Sequence, residues 1–63
     1  MEIAEDIALV FNENPEAKVL FDKMSYTHRK EYIRWIEEAK KPETRENRKV
    51  KMIRMILDGK KGI

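Results

Sequence analysis

Apolar residues in this chain recur every third or fourth position and do not alternate, which is the spacing of one face of an α-helix and not of a strand. Ile3, Ile7 and Phe11 form the first such stripe, with Ala4, Ala8 and Val10 beside them. It breaks at Asn12-Glu13-Asn14-Pro15, where Asn14 suits an N-cap and Pro15 the first helical position. Ala17, Leu20, Phe21 and Met24 then recur at i, i+3, i+4, i+7. Ser25 is placed to cap a third helix, whose stripe is Tyr32, Trp35, Ile36 and Ala39, with His28 one turn earlier. Lys40-Lys41-Pro42 ends that helix, because the residue before a proline is pushed out of helical geometry. Pro42 and Glu43 open a fourth helix that buries Met52, Ile53, Ile56 and Leu57, with Val50 and Met55 at its margins. Gly59 is the expected left-handed stop. The expected fold is all-α: a small irregular or orthogonal bundle of four short helices, at about 3–12, 15–23, 26–40 and 42–58, in a single domain. Links of two to four residues force neighbouring helices to turn sharply and pack closely.

Sixty-three residues bury only about 60% of the surface that the unfolded chain exposes. A stability of at most about 3–5 kcal/mol follows for a core this thin, unless a partner or an oligomer adds to it. With no cysteine and a single histidine, neither a disulfide nor a Cys- or His-pair metal site can reinforce it, and no cofactor is implied. The longest apolar run, Ile7 to Phe11, is far too short to cross a bilayer. Glu2, Glu5 and Asp6 stand where a signal peptide carries basic residues, so a cytoplasmic, soluble location is expected.

The net charge of +2 conceals an asymmetry. Residues 1–28 hold six acids against two bases, and residues 29–63 hold twelve bases against six acids. Halves of opposite sign attract one another within a bundle, and a basic half also offers a surface to an anionic partner.

The stretch from Phe21 to Arg48 carries a distinctive pattern: Phe21-Asp22, Ser25, Arg29, Glu31-Tyr32, Trp35-Ile36, Ala39-Lys40, Glu43-Thr44-Arg45 and Arg48, with Asp58-Gly59-Lys60 at the far end. It resembles the C-terminal helical region of the YdeI/OmpD-associated (bacteriocin-protection, OmdA-like) family. Asp6-Ile7 and Asn14-Pro15-Glu16-Ala17 also fit that family's lead-in, so the likeness covers nearly the whole chain. Met24 stands where leucine is usual, and Tyr26 where proline is usual at the start of the third helix. The resemblance implies a bacterial helical domain with a link to envelope or antimicrobial-peptide stress and no catalytic activity to carry over. Many members have another domain in front, so this chain is also compatible with the C-terminal part of a longer protein.

Candidate functional residues divide into two groups. Tyr32, Trp35, Ile36, Ala39 and Thr44 form the structural signature: the first four lie on the core stripe, and Thr44 falls in the first turn of the fourth helix, where local hydrogen bonding is its default. Lys40, Arg45, Arg48, Lys51 and Arg54 are the candidate interaction or anion surface. Arg45 falls near the apolar arc of the fourth helix, where a bridge back to Glu37, Glu38 or the last carbonyls of the third helix is expected to lock the corner. The alternative is an anion site in which Lys40, Arg45 and Arg48 converge. Glu37, Glu38, Glu43 and Glu46 are interleaved with bases and read as solvated ion pairs, not as acid–base catalysts. His28, Ser25 and Thr27 lack the partners of a nucleophilic constellation. The expected function is therefore that of a non-enzymatic helical module, whose partner is a protein or a companion domain. The alternative is a small nucleic-acid-binding domain that uses the basic face of the fourth helix.

Overall fold

A computed structural model of the chain describes residues 3–59, and these fold into four α-helices with no strand among them. The helices are α1 (Glu5–Glu13), α2 (Pro15–Asp22), α3 (Tyr26–Glu37) and α4 (Pro42–Leu57). The all-α bundle read from the sequence is the fold observed. α1 begins two residues later than expected and α3 ends three residues earlier. The expected tail, Lys60 to Ile63, lies outside the described residues.

Local chemistry sets most of the boundaries. Ser25 Oγ accepts the backbone N–H of His28 at 3.3 Å and caps α3. Pro15 and Pro42 each occupy the first turn of a helix, where the missing N–H costs nothing. Gly59 ends α4 at φ +88°, a conformation that L side chains rarely adopt. Asn14 departs from expectation. Its side chain does not cap α2 but turns back, and Nδ2 donates to the carbonyl of Val10 at 2.8 Å. Its amide therefore closes α1, and only its backbone carbonyl serves α2, accepting from Lys18 N at 3.2 Å.

The core draws on all four helices: Ile7 and Phe11, Ala17 and Phe21, Tyr32, Ile33 and Ile36, and Met52, Ile53 and Ile56. Phe11 and Phe21 lie with ring centroids 4.7 Å apart at 42°, tying α1 to α2. α4 packs against each of the other three helices and forms the spine of the bundle. Several side chains expected to be buried or marginal behave otherwise, Met24 and Ala39 being only half-buried. Leu20 and Leu57 are 39% and 46% exposed, and Val50 is also exposed. Trp35 is only half-buried. Ile33 takes up part of the core instead, because the centre of the α3 face lies near Ile36 and Tyr32 and turns Trp35 to its edge.

Candidate interaction surface

α4 positions most of the charged side chains in question, and it divides them. Arg45, Arg48 and Lys49 turn toward neighbouring helices, while Lys51 and Arg54 are exposed. Lys40 is exposed in the link between α3 and α4. Of the five candidate cations, Lys40, Lys51 and Arg54 are exposed, while Arg45 and Arg48 each make a separate internal attachment.

The first attachment joins α4 to α1. Arg45 grips Asp6 with two bonds, Nε to Oδ2 at 2.7 Å and Nη2 to Oδ1 at 3.0 Å. Lys49 Nζ reaches the same Oδ2 at 3.1 Å and Glu46 Oε1 at 2.6 Å. The bridge to Glu37, Glu38 or the end of α3 is therefore corrected: Arg45 spans 39 residues of sequence to bind α1. The physical reason is its angular position. One turn before Lys49 and two before Met52, it sits on the inward arc, and the fork of a guanidinium fits a carboxylate presented there by the first turn of α1.

Lys49 is the buried charge among the described residues, with 6% of its surface exposed. An ammonium removed from water to that degree carries a desolvation cost of several kcal/mol unless paired. Here two carboxylates pair with it. Its hydrogen bond to Glu46, followed by that to Asp6, raises its pKa against the opposing effect of burial. The hydrogen bond from Arg45 holds the Asp6 carboxyl far below the ordinary carboxylate range, again against burial. Arg45 is correspondingly raised, chiefly by its bond to Asp6.

The second attachment locks the α3–α4 corner. Arg48 Nη1 donates to the carbonyl of Trp35 at 2.7 Å, and the guanidinium carbon lies 5.4 Å from the centroid of the indole. One side chain thereby satisfies an end carbonyl of α3 and stacks on the residue that carries it. Arg48, and not Arg45, ties this corner. Tyr32 and Ile36 lie in the core beneath, while Ala39 and Thr44 are half-buried at the turn. Burial pushes the Tyr32 phenol above its usual pKa.

Asp6 and Lys49 were not legible as site residues. For Lys49 a signal existed, because it lies three, four and seven residues before Met52, Ile53 and Ile56 and so shares their face. Asp6 was visible as one acid of the negatively charged first half and in the Asp6-Ile7 lead-in of the family pattern, but neither names its partner.

Around these attachments the surface keeps apolar side chains in view. Leu9 and Val50, 59% and 57% exposed, line one hollow between α1 and α4, beside Asp6 and Lys49. Leu20 and Leu57 lie along the seam between α2 and the end of α4. Among the described residues no three His, Cys, Asp or Glu side chains form a group able to hold a metal ion, and no helix is long and apolar enough to cross a membrane.

The geometry defines a small all-α domain whose last helix is tied by cations to the first and third, with open apolar seams on either side. Within that class the chain belongs to the bacteriocin-protection, YdeI- or OmpD-associated family (OmdA), whose model matches residues 1–59. It is 33% identical over 60 residues to an uncharacterized protein YdeI of Bacillus subtilis (strain 168). That match covers 95% of this chain and 30% of the relative, so the chain spans less than a third of the relative's length. No solved structure matches.

Proposed function

We propose that this chain is a bacterial accessory module that works by binding a protein partner or a companion domain, in the cytoplasm and without catalysis, and that it contributes to tolerance of envelope or antimicrobial-peptide stress. The observation that carries the proposal is the set of apolar side chains left in water: Leu9 with Val50 on one side of α4, and Leu20 with Leu57 on the other. Scattered single leucines are ordinary on a protein surface, whereas apolar residues grouped along seams between helices favour contact with another surface. The stress link comes from the family description, and the companion domain from the greater length of the relative.

The test uses two variants, Leu9→Glu and Leu57→Glu, at exposed positions where the fold tolerates a charge. The tagged wild-type chain is expected to capture a defined protein that at least one variant loses. Cells that lack the gene are expected to be killed faster by an antimicrobial peptide and to be rescued by the wild type but not by that variant. Capture and survival indifferent to both substitutions would sink the proposal.

A second proposal, nucleic-acid binding through α4, draws on Lys51 and Arg54, which are exposed and in no ion pair among the described residues. Arg45 and Arg48 are already committed to internal bonds, which leaves few cations for phosphate. Fluorescence anisotropy with duplex DNA and RNA at two salt concentrations decides it. Each neutralised phosphate contributes a slope of about −0.9 in log K against log salt on duplex DNA, so weak binding with a flat salt response removes this reading.

A further inference from the structure

The hollow between α1 and α4 sets apolar side chains beside acids. Leu9 of α1 and Val50 of α4 line it, both more than half exposed, and it encloses about 320 Å³. Glu13 lines this hollow and also a second one of about 250 Å³, where Leu57, 46% exposed, lies with Pro15 and Glu16. Sharing Glu13, the two hollows are neighbours on one face of the bundle. Leu9 precedes Glu13 by four residues on α1, and Glu46 precedes Val50 by four on α4. Each of the two helices therefore presents an exposed apolar residue and a carboxylate one turn apart.

Where water reaches this face, the charges lining it have one sign. Glu13 and Glu16 are exposed and in no ion pair among the described residues. Glu46 binds Lys49 through Oε1 but keeps most of its side chain in water. Among the described residues, Lys49 is the one cation that lines either hollow, and it is buried and held by both Asp6 and Glu46. Lys51 and Arg54, exposed on the same helix, line neither. The acidity is local, because the chain as a whole carries +2. It also sets this face apart from the hollow at Leu20 and Met24, which Lys23 and His28 line without a carboxylate. Burial of apolar surface supplies attraction of no particular direction, and complementary charge around it selects the partner.

We propose that the α1–α4 face binds a basic apolar peptide segment of another protein, its apolar side chains on Leu9, Val50 and Leu57 and its lysines or arginines facing Glu13, Glu16 and Glu46. This rests on the interaction-module proposal and names its surface and the chemistry of its partner.

The test is a nitrogen-15 NMR titration of the full chain with two synthetic 18-residue peptides that share their leucine positions and carry lysines in one and glutamates in the other. The Leu/Lys peptide is expected to shift the amides of Leu9, Glu13, Glu46, Val50 and Leu57, and to bind at least tenfold more tightly than the Leu/Glu peptide. Its advantage should shrink as salt is raised, because the carboxylates that select it are exposed. Leu9→Gln and Val50→Gln are each expected to weaken binding at least tenfold, and Glu13→Lys to cut the preference for lysine to threefold or less. All three positions are exposed, so the variants should keep the wild-type melt, which circular dichroism checks. Equal affinity for the two peptides, no binding of the Leu/Lys peptide, or indifference to both glutamine variants overturns the proposal. So do shifts of the same amides on concentrating the free protein, because then a second copy of the chain covers the face. Leu/Lys shifts centred on Leu20, Met24 and His28 overturn this face but leave the interaction module standing. Binding at this face with capture and survival indifferent to Leu9→Glu and Leu57→Glu supports the face and sinks the module.

Discussion

The two halves of α4 hold the bundle together by different means. The first half uses cations: Arg45 and Lys49 bind Asp6 of α1, and Arg48 binds the Trp35 carbonyl of α3. The second half uses apolar burial, through Met52, Ile53 and Ile56. Directional bonds fix where one helix sits against another, because a bidentate pair tolerates little displacement. Apolar contact is not directional, and beside it Leu57 and Leu20 remain exposed. The difference teaches that α4 is positioned at its start by directional bonds and stabilised along its end by burial, with apolar side chains left in view beside both parts.

The contrast breaks most severely if the apolar half is emptied. Ile56→Ala in the core is expected to cost about 2–5 kcal/mol, which approaches the whole stability of a domain this small, so the variant should be largely unfolded by circular dichroism at 25 °C. A cooperative melt close to that of the wild type would place the stabilising weight in the charged half instead.

Removing the anchor of the charged half comes next. Asp6→Ala leaves Lys49 buried with Glu46 alone and Arg45 unpaired, and is expected to cost about 1–3 kcal/mol. It also has a pH signature. The folded-state pKa of Asp6 is depressed, so its contribution is complete above the ordinary carboxylate range and fades as pH falls below about 4 toward the folded value. The gap between the wild-type and Asp6→Ala melting temperatures should therefore be constant from pH 5 to 7 and narrow below pH 4. A gap that does not narrow would mean that the carboxylate charge is not what Arg45 and Lys49 bind.

The corner clamp sharpens the comparison by separating hydrogen bond from stacking. Arg48→Ala is expected to cost about 1–2 kcal/mol, and Arg48→Lys to recover only part of it, since an ammonium keeps a donor but not the planar face over the indole. Chemical denaturation resolves the series, and equal stability of the lysine variant and wild type would show that the stacking contributes nothing.

The smallest effect expected concerns Arg29, whose Nε is buried with no hydrogen-bond partner among the described residues. Arg29→Met removes an unsatisfied donor and keeps much of the packing, so the change should lie between neutral and about 1 kcal/mol stabilising in a thermal melt. A loss above about 1 kcal/mol would show that the guanidinium makes a contribution that its geometry does not reveal.

Features set by near neighbours were legible in the sequence. The number and order of helices followed from the 3.6-residue stripes, the start of α3 from Ser25, the start of α4 from Pro42 and its end from Gly59. Each rests on bonds or sterics within about four residues, which the chain specifies wherever it folds. Asn14 marks the limit of this logic: its amide could serve either helix it adjoins, and it closed the preceding one. The inward set of Arg45 was visible on a helical wheel, but its partner was not, because Asp6 lies 39 residues away. The same holds for exposure. Leu20 and Leu57 occupy apolar positions of their stripes, and only the angle at which α2 meets α4 leaves them in water. Sequence alone therefore determined that this chain makes four short helices, where three of them start or stop, and the family to which they belong. Tertiary structure decided which cations are internal, which stay free, and where an apolar seam opens, because those outcomes depend on the placement of whole helices against each other and not on any local run of residues.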